Sequence, residues 1–330
     1  MNIAIIGAGW LGCHMAYKLK QLGYNITIFD RSDIFSSSSF FNQNRLHKGF
    51  HYSRNQKTRK LCYDTFDLFL QDYPQLTADI QNNYYVIPTD KSLIDYGTFK
   101  SIFFHENIEF IESELECLRN IDGSIIVNEK YIDPIKSKNF FKEQLLDNLV
   151  IREIKLNDLE QLSAEYDFVI DVTNNTLQPV NDCYFELSLT LIYDRIINEQ
   201  FGSITLVDGP LFSIYPFHET KYTVTDVEYT PLYTSNKISD INQYKNTIND
   251  VLINNIRHKI EEKIQYYYGG FKTHFNYESY YTSIKVKRRS ESADRAPIIL
   301  RNNNIITCIT GKIQGIYTLE NFIKDAIINR

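Results

Sequence analysis

The sequence predicts an α/β chain, α+β overall, in which a Rossmann-like parallel sheet is interleaved with a mainly antiparallel β domain. Three observations support this prediction. A strand, a glycine turn, a helix and a second strand open the chain, several short β-rich segments follow without helices between them, and a strand and helix close it. Strands that alternate with helices favour a parallel sheet, whereas consecutive strands favour antiparallel pairing.

The composition bounds what the chain can do. Its 330 residues give room for two domains at roughly 100–200 residues each. The formal net charge of −6 provides no basic field for a phosphate backbone, so we expect no nucleic-acid partner. The five cysteines are scattered without a C-x-x-C pair, which argues against a disulfide scaffold or a metal site and fits a cytoplasmic protein. No apolar run reaches the ~18 residues of a membrane-spanning helix.

The first thirty residues predict a dinucleotide-binding unit. A short apolar strand, Asn2 to Ile6, runs into the pattern G-x-G-x-x-G at Gly7, Gly9 and Gly12, and a second strand ends at Asp30. The first glycine permits the tight turn, the second lets the backbone approach a pyrophosphate, and the third lets helix and strand pack closely. The helix start offers free N–H groups to phosphates. A carboxylate at Asp30 binds ribose hydroxyls and repels a 2′-phosphate, which favours FAD or NAD over NADP.

The next segment, residues 40–62, resembles the D-amino-acid-oxidase-like superfamily of FAD-dependent oxidoreductases. It is most similar to the 2-hydroxyglutarate dehydrogenase branch, and the positions that match in register are Asn42, His47, Gly49, Tyr52, Lys57, Leu61 and Cys62. Asn44 stands where that branch has its first glycine, and Arg45 replaces an aliphatic residue. The resemblance selects FAD over NAD, while these two departures leave the substrate open.

Two later segments resemble the same superfamily. A strand ending at Thr173-Asn174 is similar to one that normally ends in Thr-Gly beside the cofactor. The pattern R-P-x-x-x-D-x-x-P-x-I of glycine-oxidase-like relatives is reproduced, except for its first proline, at Arg289, Asp294, Pro297 and Ile299. By this resemblance Arg289 holds the substrate carboxylate, and Arg288 beside it is the alternative. The other interpretation is that both arginines are solvent-facing charges at the end of a strand.

The resemblance also implies which residues bind FAD. They belong to the first glycine turn and its helix, the serine-rich loop and the segment after it, two later strands and the last glycine turn. In chain order they are Gly7, Gly9, Trp10, Leu11, Gly12, Asp30, Arg31, Ser38, Ser39, Asn42, Leu46, His47, Val150, Thr173, Gly311, Lys312, Ile313, Gln314 and Gly315. The last two glycines stand one residue closer together than in glycine-oxidase-like relatives, and Lys312 between them either assists oxygen reactivity or offsets flavin charge.

The middle of the chain predicts a separate substrate domain. Its strands are rich in aromatic and β-branched residues, and one long amphipathic helix, about Ile241 to Tyr266, is expected to pack on them. No linker rich in glycine and proline separates two halves, so we expect the domains to be interleaved. The FAD-binding domain would comprise residues 1–75, 130–180 and 285–330, and the substrate domain residues 76–129 and 181–284.

Together these observations predict an FAD-dependent oxidoreductase that oxidises a C–N or C–OH bond of a small carboxylate-bearing substrate by hydride transfer to flavin N5. An alcohol needs a base, and His47 or His51 would suit that role, with His218 a weaker candidate and a structural role open for each. The match around His47 favours a 2-hydroxy acid, whereas the match around Arg289 favours an amino acid or amine. A flavoenzyme acting on an amino-sugar or nucleotide-linked sugar, and a catalytically silent FAD-binding module, stay open, as do the electron acceptor, oxygen or quinone, and the oligomeric state.

Overall fold

The computed structural model describes residues 1–197, 201–289 and 294–328. Its strands, in chain order, are β1 (Asn2–Ile6), β2 (Asn25–Asp30), β3 (Arg45–Leu46), β4 (Thr77–Asp79), β5 (Asn83–Pro88), β6 (Ile111–Glu112), β7 (Ile121–Val127), β8 (Lys130–Ile132), β9 (Leu149–Ile151), β10 (Phe168–Asp171), β11 (Cys183–Arg195), β12 (Ser203–Leu206), β13 (Phe212–His218), β14 (Lys221–Asp226), β15 (Pro231–Ser235), β16 (Phe275–Arg288), β17 (Ile298–Asn302) and β18 (Ile305–Ile309). Its α-helices are α1 (Trp10–Gln21), α2 (Gln56–Asp72), α3 (Tyr96–His105), α4 (Pro134–Leu145), α5 (Leu159–Glu165), α6 (Ile238–Lys245), α7 (Asp250–Tyr267), α8 (Phe271–His274) and α9 (Ile316–Ile328).

The sheet that contains the N-terminus is mostly parallel. Its strand order is β17-β18-β10-β1-β2-β9, and β17 with β18 is its antiparallel pair. The run Asn2–Ile6 is buried after its first residue, as expected for a central strand covered on both faces. Helices α1, α4 and α9 pack on one face, and α5 packs on the other through Leu159 and Leu162. This arrangement confirms the predicted Rossmann-like unit.

The second sheet is mainly antiparallel. Within the described residues it has nine strands in the order β15-β11-β14-β13-β12-β5-β7-β6, and β16 pairs with β11 beside this path. That pairing is long, since Arg288 lies opposite Cys183 at one end and Phe275 lies opposite Arg195 at the other. The predicted antiparallel β domain is therefore confirmed.

The prediction of a single long helix from about Ile241 to Tyr266 is wrong. The structure has two helices there, α6 and α7, with a short break between them. The break occurs because the side chain of Asn249 accepts a hydrogen bond from the Leu252 amide at 3.0 Å and so caps the start of α7.

A small third sheet, β3-β8-β4, joins the two larger ones. It places Arg45 opposite Tyr131. Just beyond β8, Asp133 caps α4 with one carboxylate oxygen and contacts His218 Nδ1 at the end of β13 with the other, at 2.8 Å. A helix of the parallel sheet is thereby tied to a strand of the antiparallel sheet, and His218 serves this tie.

The strands of each large sheet come from separate stretches of the chain. The parallel sheet uses residues 2–30, 149–171 and 298–309, and the antiparallel sheet uses residues 83–127 and 183–288. The predicted domain boundaries stay a proposal, which this distribution supports. None of the helices in the described part of the chain is long and apolar enough to cross a membrane.

Candidate active site

A cavity of about 850 Å³ opens where the two large sheets meet. Its walls come from the turns after β1, β2 and β10, from much of residues 35–45, and from parts of strands β12 to β16. The carboxyl ends of parallel strands are where open α/β sheets bind ligands, and the volume lies within the roughly 300–1,000 Å³ of ordinary ligand pockets. A ligand that fills this cavity touches both sheets.

The structure brings most of the predicted FAD-binding residues to the cavity. Those that line it are Gly7, Gly9, Trp10, Leu11, Asp30, Arg31, Ser38, Ser39, Asn42, Thr173, Gly311, Lys312 and Ile313. Within residues 1–197, 201–289 and 294–328, those outside the lining are Gly12, Leu46, His47, Val150, Gln314 and Gly315. Among the predicted catalytic residues, His51 lines the cavity and Arg289 does not.

The first glycine turn requires the absence of side chains. Gly7 has φ +113°, and a Cβ there would lie 2.9 Å from the Val172 carbonyl oxygen. A Cβ on Gly12 would lie 1.8 Å from the carbonyl oxygen of Gly7, so this glycine allows α1 to pack on β1 although it does not line the cavity. At Gly9 the nearest atom to such a Cβ is the Ser39 hydroxyl at 2.7 Å. The start of α1 therefore faces the cavity through its backbone and the Ser39 hydroxyl, the kind of surface that binds a pyrophosphate.

Trp10 lines the cavity with its backbone, and its side chain is in the core. Its amide donates to the Ser39 hydroxyl at 3.0 Å. Its indole is 2% exposed and packs in the core, with ring centres 5.1 Å from Phe35 and 5.4 Å from Phe141. These aromatic contacts fix the helix start that faces the cavity.

The Asp30 carboxylate at the end of β2 is oriented by the backbone. One oxygen accepts the Ala8 amide at 2.7 Å, and the other accepts the Ser32 amide at 2.9 Å. The carboxylate thus stands beside the glycine turn, where ribose hydroxyls would reach it. Val150 is 41% exposed in the edge strand β9, and the cavity wall here is formed instead by residues 152–154.

The turn after β10 explains a departure from the superfamily pattern. Asn174 has φ +58°, and asparagine adopts this left-handed conformation more readily than other residues that carry a Cβ. It therefore performs the conformational role of the usual glycine. The neighbouring Thr173 is held by Asp171, whose carboxylate accepts the threonine amide at 3.0 Å and its hydroxyl at 2.8 Å.

Substitutions at Asn174 should separate conformation from chemistry. Asn174→Gly is expected to leave the free energy of unfolding nearly unchanged, whereas Asn174→Val should lower it by roughly 1–2 kcal/mol, the cost of a left-handed residue with a branched Cβ. Denaturant unfolding of the FAD-loaded variants measures both. Equal stability of the glycine and valine variants would contradict the conformational role.

His47 is fully buried behind the cavity wall. Its Nδ1 accepts the Gly49 amide at 3.1 Å, and its Nε2 lies 3.0 Å from Lys312 Nζ. Gln314 donates to the His47 carbonyl at 3.2 Å and to the Cys62 carbonyl at 2.7 Å, which ties the last glycine turn to this segment. Burial, and then the charge of Lys312, hold the pKa of His47 well below its ordinary value, so the ring is neutral. A neutral imidazole accepts at one nitrogen only, so with the Gly49 amide on Nδ1 the ring hydrogen is on Nε2, which also lies 3.7 Å from the Cys62 sulfur.

His51 presents its ring to the cavity instead. Its Nδ1 is buried and has no hydrogen-bond partner among the described residues. Burial, followed by the charges of Arg45 and Lys312, lowers the pKa of His51 well below its ordinary value. The ring is therefore neutral and borders the cavity, while its Nδ1 is shielded from solvent.

Arg45 places a guanidinium in the cavity wall. It donates to Gln43 Oε1 through Nε at 3.3 Å and through Nη2 at 3.0 Å, and to the Thr205 hydroxyl at 2.9 Å. Its central carbon lies 3.9 Å from the ring centre of Tyr215. These partners are uncharged, and an arginine has five N–H donors, so two donors stay available to an anion. The guanidinium also interacts electrostatically with the carboxyl of the buried Glu129, whose pKa burial raises to about 7.

Lys285 adds a second cation to the wall, from β16. Burial lowers its pKa to about 8, an effect that Glu186 opposes and that the charges of Lys287, Arg295 and Lys312 reinforce. Sequence reasoning missed Lys285, and it noted Arg45 only as a departure from the superfamily pattern. That departure, a charge in place of an aliphatic residue, was the available signal.

Arg289 lies away from the cavity. The chain leaves β16 after Arg288, and the Arg289 side chain turns to the Asn236 side chain and lies 5.7 Å from the ring centre of Tyr184. Arg288 pairs with Asp294 at 3.6 Å. The structure therefore does not bring the predicted carboxylate-binding arginine to the site, and residues 290–293 of its pattern lie outside the described residues.

Comparison with known proteins decides the family. The model of the DAO family, described as FAD dependent oxidoreductase, matches residues 2–119. The FAD-dependent monooxygenase FPY4 of Fusarium mangiferae is 30% identical over 333 residues, which cover 96% of this chain and 88% of that protein. The chain belongs to the DAO family of FAD-dependent oxidoreductases. The FAD-dependent monooxygenase kojA of Aspergillus flavus is 24% identical over 357 residues. This alignment covers 96% of the DAO-family chain and 83% of kojA.

Solved structures show the same fold. Glycine oxidase from Geobacillus kaustophilus superposes on this DAO-family enzyme with a TM-score of 0.70 at 9% identity, covering 95% of this chain and 90% of that one. L-alpha-glycerophosphate oxidase from Mycoplasma pneumoniae, solved with FAD bound, gives 0.69 at 13% identity and covers 99% and 93%. The predicted family, fold class and enzyme class are confirmed.

The cavity of this DAO-family enzyme fits FAD, its cofactor. The open start of α1 would hold the pyrophosphate, Asp30 the adenosine ribose, and the turn at residues 311–313 the ring. The lining also contains buried polar atoms without a protein partner in the described chain, Gln43 Nε2 and Asn44 Oδ1. Buried polar groups of this kind are ordinarily satisfied, so they indicate a polar ligand. No cluster of three or more metal-ligating side chains occurs among the described residues.

Proposed function

We propose that this enzyme oxidises the C–N or C–OH bond of a small carboxylate-bearing substrate, namely an amino acid, an amine or a 2-hydroxy acid. The observation that carries the proposal is the pair of cavity cations, Arg45 and Lys285, of which the first binds only uncharged protein groups. Bound FAD supplies the hydride acceptor, flavin N5. A substrate carboxylate would pair with these two cations.

The protein side chains have distinct tasks in this proposal. The two free donors of Arg45 hold the carboxylate, and the planar guanidinium fixes its orientation. Lys285 adds attraction without a fixed geometry. His51, a neutral ring in the cavity wall, is the group that would take the proton from the substrate hydroxyl or amine. His47 holds the wall in place through the Gly49 amide on its ring and the Gln314 side chain on its carbonyl.

Anaerobic spectroscopy of the FAD-loaded enzyme tests the proposal. Pooled amino acids and amines, and separately pooled 2-hydroxy acids, are added while the flavin absorbance is recorded. We expect one pool to bleach the flavin, which also chooses between C–N and C–OH oxidation. If neither pool bleaches the flavin while dithionite does, the proposed substrate class is wrong.

The pH dependence of substrate affinity should follow the protonation of Lys285. This side chain is cationic below about pH 8 and neutral above it, since burial lowers its pKa to about 8. Affinity for an anionic substrate should therefore fall as the pH rises through this value, and Lys285→Arg should remove the fall because arginine stays charged. The measurement is KM between pH 6.5 and 9.5 for whichever substrate bleaches the flavin, and an unchanged profile in the arginine variant would contradict the assignment.

A second candidate is monooxygenation at the same site. It is favoured by FPY4 and kojA, which are both named FAD-dependent monooxygenases and match 96% of this chain. Such a reaction places one atom of O₂ in the product and reduces the other to water with two electrons from a donor. Turnover under ¹⁸O₂ distinguishes the two, because simple oxidation leaves the product unlabelled by ¹⁸O₂.

A further inference from the structure

Arg54 and Asp208 both line the cavity, and their side chains form an ion pair. Arg54 follows the short turn that carries His51, and Asp208 begins the loop between β12 and β13. The guanidinium Nε is hydrogen-bonded to Asp208 Oδ2, and Nη2 donates to Oδ1 at 3.3 Å. The Asp208 carboxylate therefore occupies two donors of the guanidinium, as the carboxylate of a ligand would.

Asp208 joins three loops. The hydroxyl of Ser53 donates to its carboxylate at 3.1 Å. The amide of Leu93 donates to its carbonyl at 2.6 Å, and its own amide donates to the Ser92 hydroxyl at 3.2 Å. The segments around residues 53, 92 and 208 are thus held together by one residue.

This junction lies at the opening of the cavity. Leu93 and Val227 line the cavity and are nevertheless 61% and 58% exposed, so they form its rim. The side chain of Arg54 is 48% exposed and that of Asp208 is 20% exposed. An ion pair with this much solvent contact is weak, and its guanidinium can exchange one carboxylate for another.

We propose that Arg54 is the residue that first binds the anionic substrate, and that Asp208 keeps the opening closed by occupying Arg54 until a substrate carboxylate displaces it. The inference rests on the proposed anionic substrate. In this proposal, Arg54 at the rim selects anionic molecules over uncharged ones before the substrate reaches Arg45 and Lys285. Uncharged molecules do not compete with Asp208 for the guanidinium, so they enter only when the pair opens by itself.

The experiment compares an anionic and an uncharged reductant of the FAD-loaded enzyme. Dithionite is the anionic probe and 1-benzyl-1,4-dihydronicotinamide the uncharged one, and anaerobic stopped-flow bleaching gives the rate for each. The variants are Asp208→Asn and Arg54→Gln. Matched controls are Asp64→Asn and Lys60→Gln, which change the same charges in an exposed pair on α2, 2.9 Å apart.

Both variants should open the rim. Flavin reduction by the uncharged reductant should therefore be faster in both variants than in their controls. Only Asp208→Asn leaves a free guanidinium, so it should accelerate dithionite further, by about tenfold, the lower end of electrostatic steering. Arg54→Gln should accelerate dithionite less than the uncharged reductant.

Two results would overturn the proposal. Uncharged-reductant rates equal to the controls would show that the pair does not close the opening. Equal acceleration of both reductants in both variants would show that Arg54 captures no anion. The assay uses no substrate, so it stays decisive even if amino acids, amines and 2-hydroxy acids all fail to bleach the flavin.

Discussion

Replacing Arg45 with methionine is expected to weaken binding of the carboxylate substrate by about 10–100-fold, because hydrogen bonds to charged groups contribute roughly 1.5–3 kcal/mol. The guanidinium binds only uncharged protein groups through hydrogen bonds, so a ligand anion would be its charged partner. The measurement is KM for the substrate identified by flavin bleaching, with FAD content recorded for each preparation.

Arg289→Met is the matched control for this substitution. It removes the same group from a position outside the cavity, so KM should stay within about twofold, as for most surface changes. Arg45→Lys should give an intermediate KM, because it keeps the charge and loses the planar geometry. The reverse ranking, with Arg289→Met the damaging change, would restore the carboxylate role that the superfamily resemblance implies for Arg289.

Gly9→Val is expected to yield a folded, colourless protein. The added side chain meets only the Ser39 hydroxyl at its Cβ, which can move, but it fills the space that a pyrophosphate needs at the start of α1. The affinity for FAD should fall by at least about 100-fold, or ~2.8 kcal/mol. Absorbance of the purified variant and FAD titration measure the loss, and circular dichroism confirms the fold.

Gly97→Ala is the control for Gly9→Val. This glycine is in the first turn of α3, outside the cavity lining, and an added Cβ would meet one flexible oxygen of Asp95 at 3.2 Å. The control should remain yellow and as stable as the parent chain. A yellow Gly9→Val variant with undiminished FAD affinity would contradict the placement of the pyrophosphate.

The first thirty residues could be predicted because their structure is local. The turn from β1 into α1 needs Gly7, Gly9 and Gly12 at fixed spacing, and Asp30 ends the adjacent strand. Each requirement concerns neighbours in sequence or one strand pair. The same reasoning narrowed the cofactor to FAD or NAD, and the resemblance of residues 40–62 to the superfamily then selected FAD.

The substrate end could not be predicted in the same way, because its residues meet only through long-range pairing. Arg45 and Thr205 are 160 positions apart and form a hydrogen bond. Nothing in a linear pattern shows that the chain leaves β16 before Arg289, or that Lys285 points into the cavity while Arg289 contacts Asn236. The resemblance in spacing therefore predicted an arginine that this structure has outside the cavity, and its carboxylate role stays a prediction.

The strand order of the parallel sheet also dictates when the cofactor site can form during synthesis. Ile3 of β1 pairs with Phe168, and β10 in turn pairs with β18, where Val169 lies opposite Ile305. At roughly 5–20 residues per second, the ribosome takes about 8 to 33 s to proceed from Ile3 to Phe168, and β18 is made later still. The parallel sheet around the flavin pocket therefore stays incomplete until β18 has been made, and complete FAD binding is expected only after that point.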